Sequence, residues 1–280
     1  MMKKYLLALL FMLLTSPTWA ATTSGYSFDG DDYASMSNIH AELQGESGAT
    51  VSFWVKLDSL ESQCFYSNSI GALYFCYDGD GSIGAGTGKF LMGQNLGANV
   101  LISDATPIVN TGIWYHFVVV FNSSVWTLYI DGTTYTTSGG AFGYTLAHLN
   151  LGGTFDIGRS QSFNKYVKGT IDDFQIYNVA LDQAMVTSLY GNGSPSEISA
   201  DTTGLIAYWK MNGTATTGAA SVIDSQTARN NTGQLGANSS SGADDPAINQ
   251  AGIVSDGISA NAAPVAVADS YSVNEGATLN

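Results

Sequence analysis

Three aspartates surround one glycine in Phe28-Asp29-Gly30-Asp31-Asp32-Tyr33, and two more adjoin in Ile171-Asp172-Asp173. Carboxylates grouped on a turn, with backbone carbonyls beside them, are the oxygen-rich donor set that a hard divalent cation prefers. The stretch Asp78-Gly79-Asp80-Gly81 has the same residue types but reads as a plain turn. The two cysteines, Cys64 and Cys76, lie within Gln63 to Tyr77, which reads as two short strands around Ser69-Ile70-Gly71. A hairpin folded at Ile70 sets Cys64 directly opposite Cys76, close enough for a structural disulfide.

Other chemistries lack their residues. His40, His116 and His148 are scattered, with no HExxH or paired spacing. His116 falls inside an apolar run and reads as a packing or surface residue. No serine sits in a GxSxG elbow. Gly81 to Gly88 is glycine-rich but lacks the Lys-Ser/Thr pair of a phosphate loop, so it reads as a bend. Glu occurs only at 42, 46, 61, 197 and 275; Glu42 and Glu46 fall in a polar stretch with Gly45 and Gly48 and read as a solvated loop.

The elements that must position these residues are short β-like runs. Val51, Phe53 and Val55 alternate within Ala49 to Lys56. Trp114 to Asn122 is a longer run. Val125 to Tyr135 carries Asp131-Gly132, a strong hairpin signal. Leu149 to Gly152, Thr154 to Gly158, Gly169 to Tyr177 and Gly204 to Met211 are further strands. One helix is expected near 182–191, with Asp182 as its cap, Ala184, Met185 and Leu189 as its apolar stripe and Gly191 as its stop. Many short strands with turn residues between them predict an all-β antiparallel sandwich.

Export is expected too. Lys3 and Lys4 precede an apolar run from Tyr5 to Leu14, and Thr18 and Ala20 suit a cleavage site. The run is short for a membrane span, and no later stretch is apolar enough to be one. Loss of Lys3 and Lys4 takes the net charge from −14 to −16. That surface disfavours nucleic acid and favours cations. Acidity alone also keeps an exported protein in solution.

Five segments, in order, resemble the laminin G-like, concanavalin A-like domains of bacterial exported proteins: Phe28 to Tyr33, Val51 to Val55, Trp114 to Val118, Leu128 to Gly132 and Gly169 to Leu181. The resemblance implies a jelly-roll sandwich with one short C-terminal helix. With the export signal read as a signal peptide at 1–20 and a polar stretch read as a linker at 193–203, it gives the sandwich domain at 21–192. Residues 204–262 resemble a partial second such segment, or an edge strand of the first followed by a low-complexity loop. Residues 263–280 resemble the start of a cadherin-like or Ig-like repeat, which implies a longer, multidomain, adhesin-like surface protein.

In this fold the first and last strands are neighbours, and the resemblance implies a structural Ca2+ there. Asp172, Phe174 and Ile176 share a face by period two, so an inward Asp172 needs a partner. The expected ligand set is Asp29, Gly30, Asp32 and Asp172. The alternative is that Asp172 accepts backbone N–H groups while Asp31 and Asp32 shape a turn. The fold also hosts glycoside hydrolases, which place Glu, Asp and Glu at alternating strand positions as acid and nucleophile; that pattern is missing here. The expected function is a non-catalytic module, secreted or at the cell surface, for an extracellular glycan or protein, with a structural spacer as the alternative. Tyr66, Tyr74, Tyr77 and Tyr144, on or near loops, are the candidates for sugar stacking.

Overall fold

Val51, Phe53 and Val55 leave strand Gly48–Leu57 on one side and enter the largest apolar cluster among the described residues. The computed structural model describes residues 25–37, 39–68, 73–94, 98–102, 109–123, 125–135, 137–138, 146, 153–191, 202–211, 221–222, 224–225, 231, 233–236 and 247–248. The expected signal peptide, the turn at 69–71, the strand at 149–152, His148, Tyr144, most of the 193–203 linker and the 263–280 repeat lie outside these residues.

Two antiparallel sheets face each other. The first runs Thr133–Tyr135, Val125–Ile130, Trp114–Asn122, Gly48–Leu57, Lys168–Tyr177, Tyr26–Asp29, Ala247–Ile248. Leu205–Trp209 joins the same edge of Lys168–Tyr177, so Tyr26–Asp29 covers that strand's first half and Leu205–Trp209 its second. The second sheet runs Thr137–Ser138, Ala98–Ile102, Lys89–Gln94, Leu73–Asp78, Gln63–Asn68, Thr154–Ile157, Ala34–Ser37, Gly233–Leu235, Ser221–Val222. The chain beyond residue 203 therefore contributes strands to both sheets. A separate two-stranded hairpin, Arg159–Ser160 with Lys165–Tyr166, stands at the rim.

The core is aromatic. Phe53 stacks on Phe174 at 5.2 Å and meets Phe65, Phe117 and Phe75 at 5.6, 5.7 and 6.3 Å. These separations suit offset and edge-to-face contact, so the rings add specific geometry to the area they bury.

The outer face of the first sheet is also covered. Helix Gln183–Tyr190 begins where Asp182 accepts the Met185 amide at 2.8 Å and ends at Gly191 with φ 63°. The cap and stop are those expected, but the buried stripe is Val186 and Leu189, while Met185 is 37% exposed. One residue along a helix is a turn of about 100°, so the cap fixes the helix without fixing which of two adjacent apolar residues faces in. An additional single helical turn, His40–Leu43, carries Glu42, a residue read from sequence as loop.

Hairpin chemistry follows the sequence closely. Ile130 pairs with Thr133, and Asp131 and Gly132 both have positive φ, 51° and 72°, as a two-residue type I′ turn requires. Cys64 pairs with Cys76 and the two form a disulfide. The symmetric register about Ile70 holds at that end; nearer the turn a bulge moves Tyr66 opposite Phe75.

Candidate functional site

Strand Tyr26–Asp29 ends at the first of the three aspartates, and Gly30, at φ 113°, reverses the chain so that all three carboxylates meet. One oxygen from each of Asp29, Asp31 and Asp32 lies within 4.8 Å of the others. Two ligands on opposite sides of a calcium ion are about 5 Å apart, so one divalent cation fits between them. Asp29 and Asp31 are exposed, whereas Asp32 is 3% exposed. Its Oδ2 accepts the Asp29 amide at 2.9 Å, and its Oδ1 is buried without a hydrogen-bond partner.

Burial pushes the Asp32 carboxyl up to about 7, with the Asp29 amide opposing and the charges of Asp29 and Asp31 adding to the rise. The Asp31 side chain, hydrogen-bonded to Asp29, holds Asp29 below the usual carboxylate range. An orphaned carboxylate oxygen beside two further carboxylates is costly unless protonated or matched by a cation.

The fourth expected ligand does not join them. Strand Lys168–Tyr177 carries a bulge between Asp172 and Gln175, where Asp173 has φ 48°. The extra residue breaks the alternation: Ile171, Phe174 and Ile176 enter the core, while Asp172 pairs across the sheet with Trp54 on the opposite face. The period-two placement of Asp172 beside Phe174 is thus corrected. Asp29 pairs with Lys168, four positions along the strand from Asp172, or roughly 13 Å at strand rise. Asp172 Oδ1 instead accepts the Asp173 amide at 2.9 Å, and Asp173 accepts the Tyr208 hydroxyl at 2.5 Å. The structure assembles Asp29, Gly30 and Asp32 with Asp31, not with Asp172.

Gly30 also borders an open cleft of about 300 Å³. Its wall comprises Glu61 to Gln63, Asp80, the hairpin residues Asn164 to Tyr166, and Lys168. Lys168 Nζ pairs with Glu61 at 2.9 Å, and its backbone amide donates to Gln63 Oε1 at 2.9 Å.

Asp78 anchors the loop that brings Asp80 here. Its carboxylate accepts Ser62 Oγ at 2.7 Å and the amides of Ile83, Ala85 and Gly86 at 3.1, 2.7 and 2.9 Å. Burial would raise Asp78, but these hydrogen bonds outweigh it and hold the group below its ordinary range. The loop is thus the bend expected from sequence, organised by a carboxylate whose lone pairs are occupied. Asp80 accepts the Ser82 amide, shares the Ser62 hydroxyl with Asp78, and is held well below its ordinary range.

On the hairpin side, Asp156 accepts Arg159 Nε at 2.8 Å and Gln161 Nε2 at 3.1 Å, while the Arg159 guanidinium lies 3.1 Å over the Tyr33 ring. That contact ties the cleft's hairpin to the residue following Asp32.

Other sequence candidates are buried. Tyr66, Tyr74 and Tyr77 are at most 2% exposed and lie inside the sandwich or under the 79–88 loop, so they offer no ring to a sugar. Among the described residues that line the cleft, Tyr166 is the aromatic one. No sequence signal marked it, because its strand is two residues long. His116, 2% exposed, shares a 2.8 Å hydrogen bond with Ser52 and packs against the tilted Trp54 ring at 5.0 Å. Burial lowers its pKa to about 3, so it is neutral. This Ser–His pair is sealed from solvent and serves packing.

The cleft holds two carboxylates, Glu61 and Asp80. Hydrogen bonding holds Asp80 below its ordinary range, and Glu61 pairs with Lys168. The described arrangement suits recognition of a polyhydroxylated ligand and coordination of a cation.

A family model described as the concanavalin A-like lectin/glucanases superfamily matches residues 28–187. A comparison with curated proteins finds no match. Among solved structures, a Bacteroides ovatus protein assigned provisionally to carbohydrate binding matches with a TM-score of 0.56 at 16% identity, over 80% of this chain and 62% of that one. The chain therefore spans less than two thirds of that protein's length. A heptameric SAP-like pentraxin from Limulus polyphemus gives 0.45 at 18% identity, over 65% of this chain and 89% of that one. Domain 4 of a GH43 extracellular arabinanase from Geobacillus stearothermophilus gives 0.42 at 20% identity, over 53% and 69%. At such identities the likeness is one of fold.

Proposed function

The chain belongs to the concanavalin A-like lectin/glucanase superfamily, and from that premise we propose that it is an extracellular, non-catalytic carbohydrate-binding module with a structural calcium. The observation that carries this reading is the open polar cleft bordered by the aspartate turn. Asp29, Asp31 and Asp32 hold the ion, and the orphaned Oδ1 of Asp32 is the reason to expect it. The ion supplies charge compensation and a rigid turn; the cleft supplies the sugar contacts.

The Cys64–Cys76 disulfide supports an oxidising, extracellular setting. Among the described residues no helix is long and apolar enough to cross a membrane. The resemblance of 263–280 to a surface-protein repeat supports a place in a longer adhesin-like protein. The fold shared with the Bacteroides protein supports a sugar as ligand without naming one.

Probing a glycan array with the full chain, in calcium and again in chelator, tests this reading. Binding to a defined sugar class is the expected result. A blank array in both conditions would leave a structural spacer as the better reading.

A further inference from the structure

Resting on the glycan-binding reading, we propose that the cleft beside Gly30 takes one neutral sugar residue, with Tyr166 as ring platform and Lys165, Asn164 and Asp80 as hydroxyl partners. Charge decides the ligand class. The lining sets two cations, Lys165 and Lys168, against two carboxylates, Glu61 and Asp80. Lys168 and Glu61 neutralise each other at 2.9 Å. Lys165 faces Asp80, and its charge reaches that carboxylate.

An anionic sugar would meet Asp80, and an amino sugar would meet Lys165. A neutral vicinal diol meets no such conflict. Each hydroxyl both donates and accepts, so adjacent hydroxyls bridge an ammonium and a carboxylate without leaving a polar atom unpaired.

The lining is held in place before any ligand arrives. The Ser62 hydroxyl sits between the carboxylates of Asp78 and Asp80 and can donate its one proton to either, and Asp78 is itself fixed by three backbone amides. Arg159, the strand partner of Tyr166, is clamped between Asp156 and the Tyr33 ring. Tyr166, half-buried, is held through the backbone of that hairpin and lines the cleft, so its ring is the platform we assign to the sugar. Such preorganisation lowers the ordering cost of binding. The volume of about 300 Å³ lies at the small end of ligand clefts, which fits one sugar residue better than a bound chain.

The test is a glycan array carrying neutral, uronic, sialylated and sulfated glycans. It is followed by titration of the best neutral glycan into the full chain and into Tyr166→Ala, Lys165→Ala and Asn164→Gly. Thermal melting confirms that each variant folds; Asn164→Gly, at an exposed position with φ 49°, keeps the test open if the others do not. A neutral glycan as best ligand, weakened about tenfold in each folded variant, is the expected result. A best ligand that is acidic overturns the neutral class. Neutral binding unchanged in the variants overturns the cleft while the glycan reading stands. No binding by the unmodified chain sinks both.

Discussion

Lys168 lies directly over Gly30: a Cβ placed on Gly30 would stand 2.6 Å from Lys168 Cε. The same glycine turns the aspartates toward one another at φ 113°. The cation turn and the cleft thus share a residue at which any side chain would have to displace Lys168. Gly30→Ala should cost about 1–3 kcal/mol of stability from backbone strain and push Lys168 away from Glu61. Thermal unfolding reads the first effect. A weaker affinity for an array-selected glycan reads the second.

Calcium affinity should rise with pH. Asp32, raised to about 7 by burial, must release its proton to coordinate the ion. Below about 7 the proton competes; above it the carboxylate is free. Calorimetric titration across pH 5.5–8.5 should show affinity climbing through pH 7 and levelling off only above it. Asp32→Asn should bind weakly with a flat profile.

His116 sets an acid limit on stability. Its folded pKa, lowered to about 3 by burial, lies below the unfolded value of about 6.5. Between these values the unfolded chain binds the extra proton. The contribution of His116 is therefore intact above pH 6.5 and is lost as pH falls toward 3, at up to about 1.4 kcal/mol per pH unit. Asp32 works in the opposite sense: its folded pKa is raised, so without calcium its penalty grows as pH rises from about 4 to about 7. Urea melts in chelator should show the two slopes offsetting one another, and His116→Gln should unmask a rise in stability toward acid.

Residues Cys64 and Cys76 close a short loop, 12 apart in sequence. Replacing both by Ala should lower stability by about 2–4 kcal/mol. The pair is buried with Tyr74, Ala85 and Leu91 under the 79–88 loop, so glycan affinity should weaken as well if that cover loosens. Urea unfolding and a binding titration separate the two effects.

Much of the scaffold was legible because its cues are local. Asp131-Gly132, the Asp182 cap and the Val51, Phe53, Val55 alternation each act within a few residues, and the structure follows each. The cysteine pairing followed from counting about Ile70, since the bulge lies on the turn side of it.

The site was less legible. Alternation fails wherever one residue is inserted, and at Asp173 the insertion turned Asp172 from the core face to the opposite one. The one cue was chemical: Asp tolerates a left-handed backbone better than most residues. Tyr66, Tyr74 and Tyr77 lie near a turn in sequence, yet covering elements distant in the chain bury them. Conversely, Tyr166 stands on a two-residue strand too short to show any period.

A crystal structure of the chain with the neutral oligosaccharide selected on the array would test the central claim most directly. The account predicts a sugar ring in the cleft, stacked on Tyr166, with hydroxyls bridging Lys165 and Asp80, and an ion among Asp29, Asp31 and Asp32. A sugar bound on the open face of either sheet, with the cleft holding only solvent, would contradict it.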